Sequence, residues 1–200
     1  MRKRSKSLIL TVFQSYSLHI LLTVLPSYSL TVLSQDLQFY REDIVFKVSA
    51  DHVITDATYQ FCNLGEKDFK VPLFYPFPEN TRELIDSIMI KDVKADTALP
   101  FREGRSGILF PISVKSYGQA AYRVYFQQKF IEKRFTYILT STESWGRALE
   151  FANFELQVPA GISVDSLSYP PDSTFIKNDI QYFFWKKKDF MPERDFEVFF

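Results

Sequence analysis

Residues 57–63 read ATYQFCN and residues 69–75 read FKVPLFY, and these two stretches decide the fold class. In both, apolar side chains occupy every second position, which is the period of a β-strand with one buried face. The residues between them include Asn63-Leu64-Gly65, which is typical turn chemistry. The region is therefore predicted to form a strand, a turn and a second strand.

The same alternation continues on both sides of this region, beginning with Ile44, Phe46 and Val48. Further strands are predicted over Ser87–Val93, Gly107–Val114, Ala120–Lys129, Phe135–Thr140, Leu149–Val158, Gly161–Leu167, Ile180–Trp185 and Phe196–Phe200. Segments rich in Gly, Pro and Ser separate them, and only residues 79–87 have helical character. The chain is predicted to be all-β, an antiparallel β-sandwich over residues 35–200, with a seam near 115–119 if it consists of two packed β-modules.

Three segments carry a family resemblance. Residues 57–63 with VPLFYPFP at 71–78, residues 137–142 with Trp145 and the strand to Pro159, and the tail from residue 182 resemble exported bacterial β-sandwich proteins of unknown function. The first segment is also loosely similar to the vault/inter-α-trypsin type of β-domain. The resemblance implies the fold, and it implies no catalytic residue and no cofactor.

Residues 1–34 have the composition of a secretion signal. Four cations lie among the first six residues, an apolar run follows, and no acid occurs before Asp36. Cleavage is expected after Ser29 or Ser34, where small residues precede the bond, and a retained membrane anchor is the alternative. The predicted location is outside the cytoplasm: periplasmic, outer-membrane-associated or extracellular.

Charge and cysteine content narrow the class of partner. The chain has 24 basic and 24 acidic residues; the leader holds four of the bases, so residues 35–200 carry 20 against 24. This balance argues against nucleic acid as a partner, and Lys186-Lys187-Lys188 is interpreted as a solvated strand end or turn. Cys62 is the single cysteine and is expected to be a buried, inert thiol. With no glycosylation acceptor site, this composition favours a bacterial protein.

The residues that most catalytic and metal sites require are scarce. Beyond residue 34 the chain has one histidine, His52, and one cysteine, so neither a metal site nor a catalytic triad is predicted. His52 is expected at the surface in a turn. A pair of carboxylates could still hydrolyse glycosides, and sequence does not show which carboxylates converge. We therefore expect a non-enzymatic protein without a cofactor, metal or catalytic residue.

The leading functional hypothesis is an exported protein that acts through protein or cell-surface contacts in the envelope. Trp145, in a loop between two strands, is expected to cap one end of the sandwich with its ring, and it is also the candidate contact residue if the ring is exposed. A small outer-membrane β-barrel is a second hypothesis, because Phe196–Phe200 resembles a closing barrel strand. A carbohydrate-binding sandwich is a third hypothesis, which requires a flat row of exposed rings.

Overall fold

The computed structural model describes residues 36–130 and 132–200, and most of these residues lie in β-strands. The strands are β1 (Leu37–Val48), β2 (His52–Asn63), β3 (Phe69–Pro76), β4 (Ile85–Asp92), β5 (Thr97–Ala98), β6 (Arg102–Gly104), β7 (Gly107–Val114), β8 (Gln119–Lys129), β9 (Arg134–Tyr137), β10 (Leu149–Pro159), β11 (Ser166–Leu167), β12 (Ser173–Lys177), β13 (Ile180–Phe190) and β14 (Phe196–Phe199). Two 3₁₀ helices, η1 (Arg82–Leu84) and η2 (Thr140–Trp145), interrupt them.

One layer of the fold is an eight-stranded sheet with the order β12-β13-β10-β1-β2-β8-β4-β5. Its neighbours are antiparallel except for β1 and β10, which run parallel. The second layer consists of two three-stranded sheets, β11-β14-β9 and β3-β7-β6. The arrangement confirms the predicted all-β sandwich.

Aromatic rings fill the space between the layers. Phe46 on β1 packs against Phe135 on β9 and Phe196 on β14, with ring centroids 5.3 and 4.9 Å apart. Phe110 on β7 lies 6.4 Å from Tyr122 on β8 in the same way. These rings are almost completely buried. Burial of large apolar area therefore stabilises a domain whose described cysteine is unpaired.

Most predicted strands are confirmed, and several assignments were wrong. Only Ser166–Leu167 is a strand within the predicted segment 161–167. Strands β5, β6 and β12 were missed, because their residues are all exposed and show no alternation between buried and exposed positions. The lysines at 186–188 lie inside β13 rather than at a strand end, because this strand continues to Phe190 along β10.

Both three-stranded sheets and the eight-stranded sheet end in separate edge strands, so the closed-barrel hypothesis gains no support from the described residues. The predicted signal segment, residues 1–34, lies outside the described residues. The seam predicted at 115–119 falls in the turn between β7 and β8, and the division into modules stays a prediction. Within the described ranges, no helix is long and apolar enough to span a membrane.

Candidate functional site

A β-bulge in β1 turns an acidic side chain toward the interior. Phe39 pairs with Phe61 on β2, but the next pair is Arg41 with Gln60, so Tyr40 is an extra residue. Such a bulge reverses which side chains face the core. Before the bulge, the odd-numbered side chains Leu37 and Phe39 face the core. After the bulge the even-numbered side chains do, and Glu42 is the first of them.

The Glu42 carboxyl group is buried without full hydrogen bonding. The residue is 2% exposed, and its Oε1 atom has no hydrogen-bond partner among the described residues. Its neighbours across the sheet are Tyr59 on β2 and Ala152 on β10. Burial, and secondarily the charge of Asp43, raises the pKa of Glu42 from its ordinary 4.5 to about 8. The carboxyl group is therefore mostly protonated at neutral pH.

Glu42 lines a small cavity between the layers, with a volume of about 50 Å³. We call this cavity the Glu42 pocket. Its walls come from β1, β2, β3, β9 and the η2 segment. They are formed by Phe39, Glu42, Tyr59, Phe61, Leu73, Phe74, Tyr75, Pro76, Tyr137, Ile138, Ser141, Thr142 and Trp145. Two of these lining residues, Phe74 and Ser141, are themselves exposed to solvent.

Three tyrosine hydroxyl groups meet at the pocket wall. The Tyr59 hydroxyl donates to the Tyr75 hydroxyl at 2.9 Å and shares a short hydrogen bond with that of Tyr137. The Tyr75 hydroxyl also donates to that of Tyr137 at 3.3 Å. Burial raises the pKa of all three above the usual value of 10, so they stay neutral at physiological pH.

Trp145 closes one side of the same pocket. Its ring is half-buried, and its centroid lies 5.7 Å from that of Phe39 and 5.4 Å from that of Phe61. The 3₁₀ helix η2 ends at this residue because Gly146 follows in the left-handed region at φ 68°. The candidate contact residue therefore packs on core rings, and its role in contacts stays a prediction.

A carboxylate anchors the start of η2 to the far end of the chain. One oxygen of Asp195, just before β14, accepts hydrogen bonds from the backbone N–H groups of Leu139 and Thr140, both at 3.0 Å. The Thr140 hydroxyl donates to the same oxygen at 2.8 Å. Charge-assisted hydrogen bonds of this kind are about twice as strong as neutral ones. Asp195 thus positions the helix that carries Trp145.

The other residues considered from sequence lie away from the pocket. His52 begins β2, and its Nδ1 lies 2.8 Å from both the Ser49 hydroxyl and the Asp51 carboxylate. The same Ser49 hydroxyl lies 3.1 Å from Nε2 and donates to the His52 backbone carbonyl at 3.2 Å, so the contacts close within one turn and the cluster is described as a turn network. Cys62 is half-buried rather than buried, because β2 directs it away from the core, and burial raises its pKa.

A larger cleft, of about 860 Å³, lies between the β3-β7-β6 sheet and the β4-β5 end of the large sheet. Its walls are mainly apolar, and include Leu99, Phe101 and Leu109. The Tyr122 hydroxyl in its wall is satisfied, since it donates to the Ser113 carbonyl and accepts from the Ser113 N–H. Among the described residues that line this cleft, none has an unsatisfied buried side-chain atom, whereas Glu42 in the Glu42 pocket does.

Comparison with known proteins gives one family match and several structural ones. Residues 118–199 match the family described as "Domain of unknown function (DUF4424)", which is less than half of the chain. No curated protein matches the sequence. A Legionella pneumophila structure described as a "putative nutrient binding protein" superposes with a TM-score of 0.63 at 12% identity, covering 82% of this chain and 66% of that one.

A Deinococcus radiodurans M1 zinc metallopeptidase, in a mutant form bound to a peptide substrate, superposes with a TM-score of 0.50 at 8% identity. The match covers 82% of this chain and 42% of the peptidase. At these identities both structural matches show the fold alone. They agree with an uncharacterised β-domain, and the likeness to the vault/inter-α-trypsin type stays a prediction.

Proposed function

We propose that this chain is an exported, non-enzymatic protein of the bacterial cell envelope that binds a small ligand in the Glu42 pocket. The observation that carries the proposal is the unpartnered Oε1 atom of Glu42, buried at a cavity wall. Leaving a polar atom in this state costs free energy unless a ligand or water completes its hydrogen bonds. The bulge at Tyr40 positions Glu42 there, and bulges are frequent beside functional sites.

Binding without turnover fits the chemistry of the walls. Among the described lining residues Glu42 is the single carboxyl group, so they do not supply the pair of carboxylates that glycoside hydrolysis uses. No histidine or cysteine is among the described residues that line it either. A cavity of about 50 Å³ also excludes a polymer segment. Hydrolysis of glycan or ester substrates by the purified protein, abolished by Glu42→Gln, would contradict this part of the proposal.

Export is supported by the basic and apolar composition of residues 1–34. The description of the Legionella protein as a "putative nutrient binding protein" agrees with a ligand-binding function. We expect the mature protein isolated from a bacterial host to begin at residue 30 or residue 35. Intact mass measurement after cell fractionation checks this, and a full-length cytoplasmic product would refute it.

The binding function is tested by ligand-observed NMR with a library of small neutral, anionic and cationic molecules. We expect at least one compound class to bind the wild type and the control variant Glu155→Gln, and not to bind Glu42→Leu. Glu155 is a suitable control because its half-buried carboxylate is on the opposite face of the sheet, where Gln157 donates to it at 2.7 Å. Binding that survives Glu42→Leu, or no binding by any class, would refute the pocket as the binding site.

A second candidate function, contact with a protein partner, is supported by the edge strand β12. All five of its residues are exposed, and Phe175 and Ile176 are 49% and 70% exposed. An open edge with apolar side chains can pair with an extended strand of a partner. The Phe175 ring stacks on those of Tyr182 and Phe184, at 4.9 and 5.5 Å, so these rings cover one another and offer less free face to a sugar.

The contact function is tested by a photo-crosslinking residue at position 177 in the exported protein. We expect a protein adduct that disappears when Ile176→Lys is added and persists with Lys47→Glu, an exposed change on β1. An adduct unaffected by Ile176→Lys would argue against pairing at this edge.

A further inference from the structure

The Glu42 pocket contains an acid and no cationic side chain. Its lining residues, all within the described part of the chain, include no lysine, arginine or histidine. A buried carboxylate is stable only when a positive charge pairs with it or a proton neutralises it. When Glu42 is ionised, no side chain of the pocket neutralises its charge. A bound cation would do so.

The tyrosine cluster has acceptors to offer and no spare donors. Each hydroxyl has one proton and two lone pairs. The three contacts among Tyr59, Tyr75 and Tyr137 use all three protons. What remains at these oxygens is the capacity to accept hydrogen bonds. A ligand with several N–H donors complements both this cluster and the Glu42 carboxylate.

Four further aromatic rings, those of Phe39, Phe61, Phe74 and Trp145, line the pocket and favour an organic cation. The centroids of Phe39 and Phe61 lie 5.3 Å apart, and Trp145 packs within 6 Å of both. Ring faces attract ammonium ions, and they bind alkyl groups as well. A metal ion would need more charged oxygen, nitrogen or sulfur ligands, and the described residues contain no group of three acids, histidines or cysteines suited to one.

The volume limits the length of the ligand. A single water needs about 10–15 Å³ of such space, so a cavity of about 50 Å³ holds roughly three to five groups of that size. Methylammonium and ethylammonium, with two and three heavy atoms, fit this space, and hexylammonium does not.

We propose that the Glu42 pocket binds a small primary ammonium ion, with the Glu42 carboxylate as its counter-ion. The hydroxyl oxygens of Tyr59, Tyr75 and Tyr137 accept its N–H groups, and Trp145 covers its alkyl part. The inference rests on the proposed small-ligand function and names the chemical class of the ligand.

Binding of such a cation releases one proton. Glu42 is mostly protonated at pH 7 because its pKa is about 8, so the carboxyl proton leaves to solvent as the ammonium ion enters. The groups that face Glu42 are Tyr59 from β2, Tyr75 from β3 and Tyr137 from β9; Asp43 is adjacent on the other face. The tyrosines stay neutral, so Glu42 alone sets the pH dependence. Affinity is expected to rise about 50-fold from pH 6 to pH 8 and then to level off.

The experiment is isothermal titration of the full chain with methylammonium and ethylammonium, in two buffers of different ionisation enthalpy. We expect dissociation constants on the order of 1 mM, as the few heavy atoms allow, and release of about one proton at pH 7. Glu42→Gln should weaken binding at least 30-fold, whereas Glu155→Gln should not change it. Because Glu42→Gln could affect folding, Trp145→Leu provides a second variant at a half-exposed position, expected to weaken binding about fivefold.

The outcomes separate this inference from the function on which it rests. One outcome is that a neutral probe such as acetamide binds in a Glu42-dependent way while neither ammonium ion binds. That result overturns the proposed class of ligand and leaves the proposed small-ligand function standing. Equal binding of potassium, or of hexylammonium, also overturns it. If no probe of any charge binds and the NMR screen is negative, the inference and the proposed function both fail.

Discussion

Replacing Glu42 by glutamine tests whether the buried carboxyl group is protonated in the folded protein. Glutamine has nearly the same shape as a protonated glutamate and no charge at any pH. The pKa of Glu42 rises from 4.5 to about 8 on folding, which at about 1.4 kcal/mol for each pH unit amounts to about 5 kcal/mol.

The sign follows from which state binds the proton. Between pH 4.5 and about 8 the folded protein keeps the Glu42 proton and the unfolded chain has lost it. The free energy of unfolding therefore decreases as pH rises through this window and becomes constant above it. The contribution of Glu42 to the free energy of unfolding is fully present below pH 4.5, and it is lost as the pH rises through the pKa of about 8 that Glu42 has in the folded protein. The glutamine variant lacks this decrease.

Urea unfolding of the wild type and Glu42→Gln at each pH from 5 to 9 measures the effect. The two proteins should have similar free energies of unfolding at pH 5. From pH 5 to pH 9 the variant should gain about 4 kcal/mol relative to the wild type, because part of the total of about 5 kcal/mol is already lost below pH 5, and Glu155→Gln should follow the wild type throughout. A constant difference between wild type and Glu42→Gln across this range would refute the argument that Glu42 is buried as a neutral acid.

Three further measurements address the aromatic packing, the anchor of η2 and the thiol. Trp185→Ala should lower the free energy of unfolding by about 4 kcal/mol and Trp145→Ala by about 2, because the first ring is 1% exposed and the second is half-buried; equal losses in urea unfolding would contradict this. Asp195→Ala should cost about 2 kcal/mol and speed proteolysis within residues 140–145, since three hydrogen bonds are lost; unchanged cleavage would argue against the anchor. Cys62 should react with Ellman's reagent more slowly than free cysteine at pH 7.5, because its pKa is raised; a rate equal to that of free cysteine would refute its shielding.

The strand pattern was predictable because it is local. In β2 and β7 each buried side chain follows an outward one, and this alternation is visible without any knowledge of partners. β12 was missed for the opposite reason: an edge strand with both faces exposed has no alternation to reveal it. The lysines at 186–188 suggested a turn because charge favours exposure, but the open face of a sheet is exposed as well.

The sequence analysis did not predict that Glu42 is buried, although the sequence contains an indication of it. Leu37 and Phe39 occupy odd positions, whereas Ile44, Phe46 and Val48 occupy even ones, so the inward face must change between them. This change of phase indicates a bulge somewhere in 40–43. It does not show whether Arg41 or Glu42 is turned inward, because pairing with β2 decides where the extra residue lies.

By itself, the sequence determined the all-β class, the signal-like composition of residues 1–34 and the scarcity of metal-binding or nucleophilic groups, since each follows from residue types and short-range periodicity. Only the tertiary structure brought Tyr59, Tyr75 and Tyr137 together, because hydroxyl groups as far as 78 residues apart meet when two sheets stack. It also brought Trp145 to the cavity that Glu42 lines. The physical reason is that a binding site depends on which strand faces converge, and strand pairing over long distances decides that convergence.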